Sequence, residues 1–329
     1  MDLPLDPKLR IGLQTIHRCP EPAAGPWLPR IDDLVALVAQ VDRCGYDSLW
    51  VGDHIAFTTP ILDPLLTLAQ AAVASRRLLL GTGVYLLPLR HPTPVAKQVA
   101  TLDHLSEGRL IFGVGVGGEF PKEYEACGVP RSERGARLSE SIAVLRRLWS
   151  GERVSHRGRF FAFDAVRMQP PPRQPGGPPI WCGGRAPAAL ERAGRLADGW
   201  ISYVVTPDMY KAGLVRIAAA AAAAGRRLHR FGTGHLLFVR LDDSYERALA
   251  VAAETLSRRY AMDFTRAAQR YAALGRAADI AERIRAFYAA GVRHLSVDLL
   301  GPYEQRPHAI ERFAAEVLPL LADLRRQTE

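Results

Sequence analysis

Short apolar segments alternate with amphipathic segments along most of the chain. The apolar segments are bounded by glycine or polar residues, as expected of strands that are buried on both faces of a parallel sheet. They predict strands at residues 10–17, 46–51, 78–85, 110–116, 180–182, 199–203, 235–241 and 292–299. The intervening segments have apolar residues at helical spacing and predict helices at residues 31–44, 64–74, 92–105, 133–149, 187–196, 207–224, 244–258, 277–290 and 308–324.

This alternation determines the predicted fold class. Eight strands, each followed by a helix, within 329 residues predict a TIM-type (β/α)8 barrel of the α/β class. We expect a single barrel domain over residues 1–329, with insertions at about residues 117–132, 150–178 and 259–275. A doubly wound open sheet is the alternative, because both folds bury parallel strands on both faces.

Composition excludes several classes of function. The net charge is +9, but the arginines are spread through amphipathic helices beside acidic residues, so we expect no nucleic-acid surface. No apolar segment approaches the roughly 20 residues of a transmembrane helix, so we expect no membrane association. Cys19, Cys44, Cys127 and Cys182 lack CxxC spacing, which favours a reduced, cytoplasmic setting. Without an HxH or HExxH motif, we expect no metal site.

Polar residues are concentrated at the ends of the predicted strands. A barrel places its chemistry at the carboxyl ends of its strands. At those ends the sequence has His17, Asp53, His54, residues 83–85, residues 115–119, residues 183–185, Ser202, Tyr203 and Asp298. Histidines at two separate strand ends are candidates for acid–base chemistry, because the barrel brings those ends together. A structural role is the alternative for either histidine.

Glycines at two of these strand ends predict contact with a ligand. We interpret Gly115 and Gly117 as backbone that a flat ligand can approach closely, since the glycine spacing there is not the GxGxxG of a dinucleotide loop. Tight packing at the barrel rim is the alternative. Gly183 and Gly184 precede a predicted helix N-terminus, which together with Arg134 predicts a phosphate site. A solvent-exposed side chain is the alternative for Arg134.

Four segments together resemble the bacterial luciferase-like oxidoreductase superfamily. In chain order they are GYDSLWVGDH (45–54), LLLGTGVYLLPLRHPTPVAKQVATLDHLSEGRLIFGVGVG (78–117), ERGARLSESIAVLRRLW (133–149) and PPIWCGGRAPAALERAGRLADGWI (178–201). The resemblance implies a TIM barrel with a flavin or deazaflavin across its C-terminal mouth, a small organic substrate and a homodimer. For an oxygenating member it also implies a separate flavin reductase as a partner.

The resemblance implies roles for individual residues on the first strands. The strand that ends near Tyr85 implies a cis peptide bond between Gly83 and Val84, behind the cofactor ring. Asp53 and His54 match an acid and a histidine that deazaflavin-using members place near the reactive edge of the ring. His54 is therefore the expected acid–base residue, oriented by Asp53 or lying near it.

The resemblance also implies a phosphate-binding turn at Gly183 and Gly184. Some flavin mononucleotide (FMN) members use serine and threonine hydroxyls in that turn, which this sequence lacks, so Arg185 or Arg134 is expected to add charge. Some deazaflavin members carry an acid directly after the third glycine of the fourth strand. Here a glycine stands at that position and Glu119 follows it, so the sequence does not assign Glu119 a role in proton transfer.

Three hypotheses for function follow from these features. The leading one is a monooxygenase that uses reduced FMN and dioxygen on a small organic substrate. The alternative is an oxidoreductase that transfers hydride with the deazaflavin coenzyme F420, with His54 handling the proton. A second alternative is a non-catalytic flavin-binding protein. We expect the substrate to be surrounded by residues 19–29, 54–62, 120–127 and 260–274.

Overall fold

The computed structural model describes residues 3–15, 31–57 and 61–326. Within those ranges it has eleven β-strands and twelve α-helices. The strands are β1 (Arg10–Thr15), β2 (Ser48–Val51), β3 (Leu79–Thr82), β4 (Leu110–Val114), β5 (Arg153–Arg157), β6 (Ala162–Arg167), β7 (Ile180–Gly183), β8 (Gly199–Tyr203), β9 (Gly232–Leu241), β10 (Ala273–Gly275) and β11 (His294–Leu299). The helices are α1 (Ile31–Arg43), α2 (Pro64–Ala74), α3 (Pro92–Leu105), α4 (Pro121–Ala126), α5 (Arg134–Trp149), α6 (Pro187–Leu196), α7 (Pro207–Ala223), α8 (Tyr245–Tyr260), α9 (Thr265–Tyr271), α10 (Ala277–Ala289), α11 (Arg306–Glu316) and α12 (Ala322–Arg325).

Eight of these strands form a closed parallel barrel. Around the ring the order is β1, β2, β3, β4, β7, β8, β9 and β11, and β11 pairs again with β1. The pairing of β8 with β9, in which Gly199 lies opposite Gly232, closes the sheet. The prediction of a TIM-type barrel is confirmed, and the doubly wound open sheet is wrong.

Two tryptophan rings fill the barrel interior. Trp50 on β2 and Trp181 on β7 lie with their ring centroids 5.6 Å apart, and the ring of His294 meets both edge-on. A Cβ atom at Gly81 would overlap the Trp50 ring, and one at Gly232 would overlap the Trp181 ring. Because protein interiors are packed to high density, these rings occupy the interior. A ligand would therefore bind above them, at the mouth of the barrel.

The largest differences from the predicted elements lie in the last third of the chain. The segment at 259–275, expected as an insertion, contains α9 and the short strand β10, which pairs with the last three residues of β9. The helix predicted at 308–324 is divided into α11, a 3-10 turn at Leu318–Leu321, and α12. Pro319 explains the division, because proline removes a backbone donor and its ring clashes with the preceding helical turn.

The other two predicted insertions also contain regular structure. Residues 117–132 include α4, which follows β4 and lies near the mouth of the barrel. Residues 150–178 include β5 and β6, which form an antiparallel hairpin. Glu140 on α5 fastens this hairpin, because its carboxylate accepts hydrogen bonds from the backbone N–H groups of Phe160 and Phe161.

Candidate active site

A cavity of about 200 Å³ lies at the C-terminal mouth of the barrel. All eight barrel strands contribute to its wall, either directly or through the residues that follow them. The structure brings together the polar pair Asp53 and His54 with glycines that were predicted from three other strand ends. One part of the wall is glycine backbone, and another part consists of ionisable side chains.

The glycine part of the wall comes from the ends of β3, β4 and β7. The predicted glycines that line the cavity are Gly83, Gly115, Gly117, Gly183 and Gly184. A Cβ atom at Gly115 would lie 2.5 Å from Val84 Cγ2, and one at Gly183 would lie 2.9 Å from Val84 Cγ1. Residues larger than glycine at these positions would therefore displace Val84. With glycine there, the backbone of the wall stays accessible to a flat ligand. The peptide bond between Gly83 and Val84 is cis, so that prediction is confirmed.

The predicted phosphate turn lies between β7 and α6. Gly184 has a φ of +114°, in the region that favours glycine over other residues. The Arg185 guanidinium is outside the cavity wall and lies 5.4 Å above the ring of Tyr203. Arg134, at the start of α5, donates a hydrogen bond to the carbonyl of Arg131 at 2.8 Å. Neither Arg134 nor Arg185 is among the residues that line the cavity.

His54 is held by a carboxylate that the sequence analysis did not identify. Its Nδ1 lies 3.0 Å from Oε2 of Glu123. The imidazole also stacks on the ring of Phe57, with the two centroids 4.0 Å apart. The Glu123 side chain is 1% exposed and that of His54 is 13% exposed. The histidine thus reaches the cavity while its partner is sealed behind it.

Glu123 comes from α4, which lies in one of the predicted insertions. Its other oxygen, Oε1, accepts hydrogen bonds from the backbone N–H groups of Ile55 at 2.6 Å and Ala56 at 3.2 Å. The glutamate is 69 residues from its histidine partner in the chain, and no local motif connects the two. The available sequence signal was the expectation that residues 120–127 form part of the pocket wall.

Asp53 precedes His54 in the chain, but the hydrogen bonds of its side chain go to other groups, so its expected role beside the histidine stays a prediction. Its carboxylate accepts hydrogen bonds from Leu86 N at 2.8 Å and from the two Nη atoms of Arg90 at 2.5 and 2.9 Å. Burial by itself would lower the pKa of Arg90, but the hydrogen bonds and the charge of Asp53 outweigh burial and raise that pKa. Asp53 thus anchors the loop after β3 to the end of β2.

Glu119 lines the cavity although the sequence assigned it no role. Gly117 and Gly118 precede it with φ values of +57° and +103°, a conformation that favours glycine. The Tyr203 hydroxyl donates a hydrogen bond to Oε1 of Glu119. Burial raises the pKa of Tyr203, and the charge of Glu119 raises it further. The phenol therefore keeps its proton and holds the carboxylate in place.

A charged pair in the cavity wall joins α8 to β11. Both Nη atoms of Arg259 donate hydrogen bonds to the Asp298 carboxylate, and the two side chains are 10% and 4% exposed. Asp298 was a candidate because it lies near a strand end. Arg259 was missed because it is the first residue of a predicted insertion, where periodicity does not show which way a side chain faces.

Tyr85 does not line the cavity. It is 2% exposed, and its ring lies 5.3 Å from that of Phe112 between ring centroids. The Arg90 guanidinium covers the other side of the tyrosine ring at 4.3 Å from its centroid. The side chain of Tyr85 therefore supports the wall from behind.

Some sequence candidates cannot be placed. His17 and the expected substrate segment 19–29 lie outside the described residues. Within the ranges that the structure does describe, no group of three or more His, Cys, Asp or Glu side chains is arranged to hold a metal ion. In the same ranges, no helix combines the length and the apolar character that crossing a membrane requires.

Comparisons with known proteins identify the family. The model of the luciferase-like monooxygenase family matches residues 11–294. The F420-dependent hydroxymycolic acid dehydrogenase of Mycobacterium tuberculosis is 35% identical over 235 residues, which span 68% of this chain and 63% of that protein. The F420-dependent glucose-6-phosphate dehydrogenase of Nakamurella multipartita is 30% identical over 321 residues, or 89% of this chain and 93% of that one.

A solved structure supports the same assignment. The monooxygenase RslO1 from Streptomyces bottropensis superposes with a TM-score of 0.79 at 26% identity, covering 94% of this chain and 99% of that chain. The match therefore extends over nearly the whole chain. The family match covers the strands and glycines from which the resemblance was predicted. The chain belongs to the luciferase-like monooxygenase family of oxidoreductases.

Proposed function

We propose that this chain is an oxidoreductase that uses coenzyme F420 and moves a hydride between it and a carbon that carries a hydroxyl or carbonyl group. The observation that carries the proposal is the position of His54 in the cavity wall, beside a glycine wall with room for a flat ring. A histidine in that position can take up the hydroxyl proton that leaves when the carbon is oxidised. Two of the relatives are named F420-dependent dehydrogenases, which supports this class of reaction.

The glycine wall suits the tricyclic ring that flavins and F420 share. Gly115 and Gly183 keep backbone where other residues would project a side chain. When bound there, the coenzyme would supply the acceptor or donor of the hydride. Its phosphate is expected at the turn of Gly184 before α6, because a helix N-terminus attracts anions, with Arg134 or Arg185 adding charge.

The polar wall of the cavity supports hydride transfer more than oxygenation. Glu119, Arg259 and Asp298 line the cavity together with His54. Oxygenation by a reduced flavin requires that water be kept away from the reacting group, and charged walls attract water. Exchange of a proton with a substrate hydroxyl instead requires a polar side chain within hydrogen-bonding distance.

A monooxygenase that uses reduced FMN and dioxygen, the leading hypothesis from the sequence, is the second candidate. The match to the monooxygenase RslO1 over nearly the whole chain favours it. In that function a separate flavin reductase would supply the reduced FMN. For either function, the proposal of a homodimer and of a small organic substrate comes from the resemblance to the family.

Anaerobic fluorescence titration of the purified protein with F420, oxidised FMN and reduced FMN tests the proposal. We expect F420 to bind at least about tenfold more tightly than either form of FMN, a difference of about 1.4 kcal/mol. We also expect the absorbance of bound F420 to fall when a panel of alcohols is added. Tighter binding of reduced FMN, with substrate-dependent oxygen uptake, would establish the second candidate instead. Failure of all three cofactors to bind would contradict both functions.

A further inference from the structure

The two oxygens of Glu123 serve different groups. Oε1 accepts hydrogen bonds from the backbone N–H groups of Ile55 and Ala56, whereas Oε2 faces Nδ1 of His54 at 3.0 Å. An ionised carboxylate can only accept hydrogen bonds, so the Nδ1 atom that faces it carries a hydrogen. In a neutral imidazole the other nitrogen, Nε2, then has the lone pair.

We propose that Glu123 is a positioning residue that holds His54 in the Nδ1–H tautomer and so presents Nε2 to the cavity as the proton acceptor. Glu123 is not part of the cavity wall, so it acts on the reaction only through the histidine. The effect on catalysis rests on the function proposed above, whereas the tautomer does not depend on that function. Partners behind a reactive histidine commonly set which ring nitrogen carries the hydrogen.

The other carboxylates near the mouth are engaged elsewhere. Asp53 is paired with Arg90, and Glu119 accepts the hydrogen bond of the Tyr203 hydroxyl. Asp63 accepts from backbone N–H groups at the start of α2. In the described part of the chain, none of these three carboxylates hydrogen-bonds the histidine ring. The carboxylate of Glu123 on α4 is therefore the group that determines which nitrogen of the His54 ring carries the hydrogen.

Replacing this glutamate by glutamine should reverse the tautomer. A glutamine amide has one oxygen that accepts and one nitrogen that donates. The backbone N–H groups of Ile55 and Ala56 both require the acceptor, so in Glu123→Gln the amide nitrogen turns toward His54. Nδ1 must then accept a hydrogen bond, and the ring hydrogen moves to Nε2. The variant keeps the volume of the side chain while it removes the proton acceptor from the cavity.

Nitrogen-15 NMR of the cofactor-free protein with labelled histidine reads the tautomer directly, at about pH 8.5, where ordinary imidazoles are neutral. The chain has nine histidines, and the signal that is absent from His54→Gln identifies His54. We expect Nδ1–H in the wild type and Nε2–H in Glu123→Gln. Glu125→Gln is the matched control, because Glu125 lies on the same helix but is exposed and paired with Lys122. Its His54 signals should equal those of the wild type.

Steady-state kinetics with the bound cofactor gives the second readout. We expect Glu123→Gln to lower kcat by about 10²- to 10⁴-fold, because the histidine is in the wrong tautomer, with KM and cofactor affinity changed less than about twofold. Three results would each overturn the proposal. The wild type could show the Nε2–H tautomer, Glu123→Gln could retain the Nδ1–H tautomer, or Glu123→Gln could show the reversed tautomer with an unchanged kcat. The wild-type spectrum decides even where the variant does not fold. If the NMR spectra are as expected but the wild type shows no turnover with any of the cofactors, the proposed function is contradicted and the tautomer assignment still holds.

Discussion

The barrel interior and the mouth above it both have glycines on or just after strands, but the space beside these glycines is filled in the interior and open at the mouth. In the interior, the space beside Gly81 and Gly232 is filled by the rings of Trp50 and Trp181. At the mouth, Gly115 borders the open cavity. Glycine therefore makes room for a core side chain in the interior, whereas at the mouth it leaves open space beside the backbone.

Two histidines on neighbouring parts of the barrel show the same contrast. His294 lies in the interior between the tryptophan rings, and its Nε2 is 2.7 Å from the hydroxyl of Ser48. Burial lowers the pKa of His294 to about 3, so it is neutral at any ordinary pH. His54 at the mouth faces the Glu123 carboxylate instead. The surroundings, not the residue type, separate the structural histidine from the one that we propose to be catalytic.

The mouth histidine should govern turnover without governing stability. We expect His54→Gln to lower kcat by about 10²- to 10⁴-fold, the usual contribution of a general acid or base, while the free energy of unfolding in urea changes by less than about 1 kcal/mol. The matched control is His104→Gln, because His104 is exposed and bonds only a backbone carbonyl. Undiminished turnover in His54→Gln would place this histidine in the same structural class as His294.

Two buried histidines should make the fold sensitive to acid: His294 in the barrel interior, and His235 between the barrel and its helices, where it packs against Tyr210 and Phe287. Burial lowers the pKa of His235 and that of His294 from 6.5 to about 3. Below pH 6.5 the unfolded chain binds protons at these two residues and the folded chain does not, so the free energy of unfolding falls as the pH decreases toward 3. The loss is about 2 kcal/mol per histidine at pH 5. Urea unfolding between about pH 7 and pH 5 measures it, and a free energy that stays constant would mean that these buried sites admit charge.

Asp53 should behave as an anchor of the mouth and not as a catalyst. Asp53→Asn removes the buried charge partner of Arg90 and leaves it only the more distant, more exposed Asp63 at 3.8 Å, so we expect the free energy of unfolding to fall by about 3 kcal/mol. Asp42→Asn is the control, since its partner Arg77 is half exposed and the loss should stay below about 1 kcal/mol. Urea unfolding compares the two variants. A large drop in kcat with unchanged stability would restore the catalytic role that the resemblance implied for Asp53.

The sequence was a better guide to the barrel than to the polar part of the site. Strand and helix each have a local period of apolar residues, so α2, α3 and α6 were predicted with the bounds that the structure has. The glycine wall was predictable for a similar reason. Its glycines lie at strand ends, and the motif at 78–117 that implied the cis bond is continuous in the chain.

The charged partners were missed because each one acts across the fold. Glu123 meets its histidine over 69 residues, Arg90 meets Asp53 over 37, and Arg259 meets its aspartate over 39. Glu123 and Arg259 lie in or beside segments that the sequence pattern identifies as insertions. Periodicity determines which face of an element is buried, but it carries no information on which charges meet once the barrel has closed.

The smallest expected effects are those of Gly→Ala variants on cofactor affinity and on the free energy of unfolding. They distinguish the glycines at the mouth from those in the interior. In Gly115→Ala the new Cβ atom would lie 2.5 Å from Cγ2 of Val84, which itself lines the cavity, so we expect cofactor affinity to fall about tenfold. In Gly81→Ala the Cβ atom meets the sealed Trp50 ring, so the free energy of unfolding should fall by about 1–3 kcal/mol with little change in affinity. Gly52→Ala, also at the mouth but with its nearest neighbour at 3.5 Å, should change neither quantity. Fluorescence titration and urea unfolding of all three variants measure both effects. Equal losses of affinity in Gly115→Ala and Gly81→Ala would show that interior and mouth respond as one packed unit.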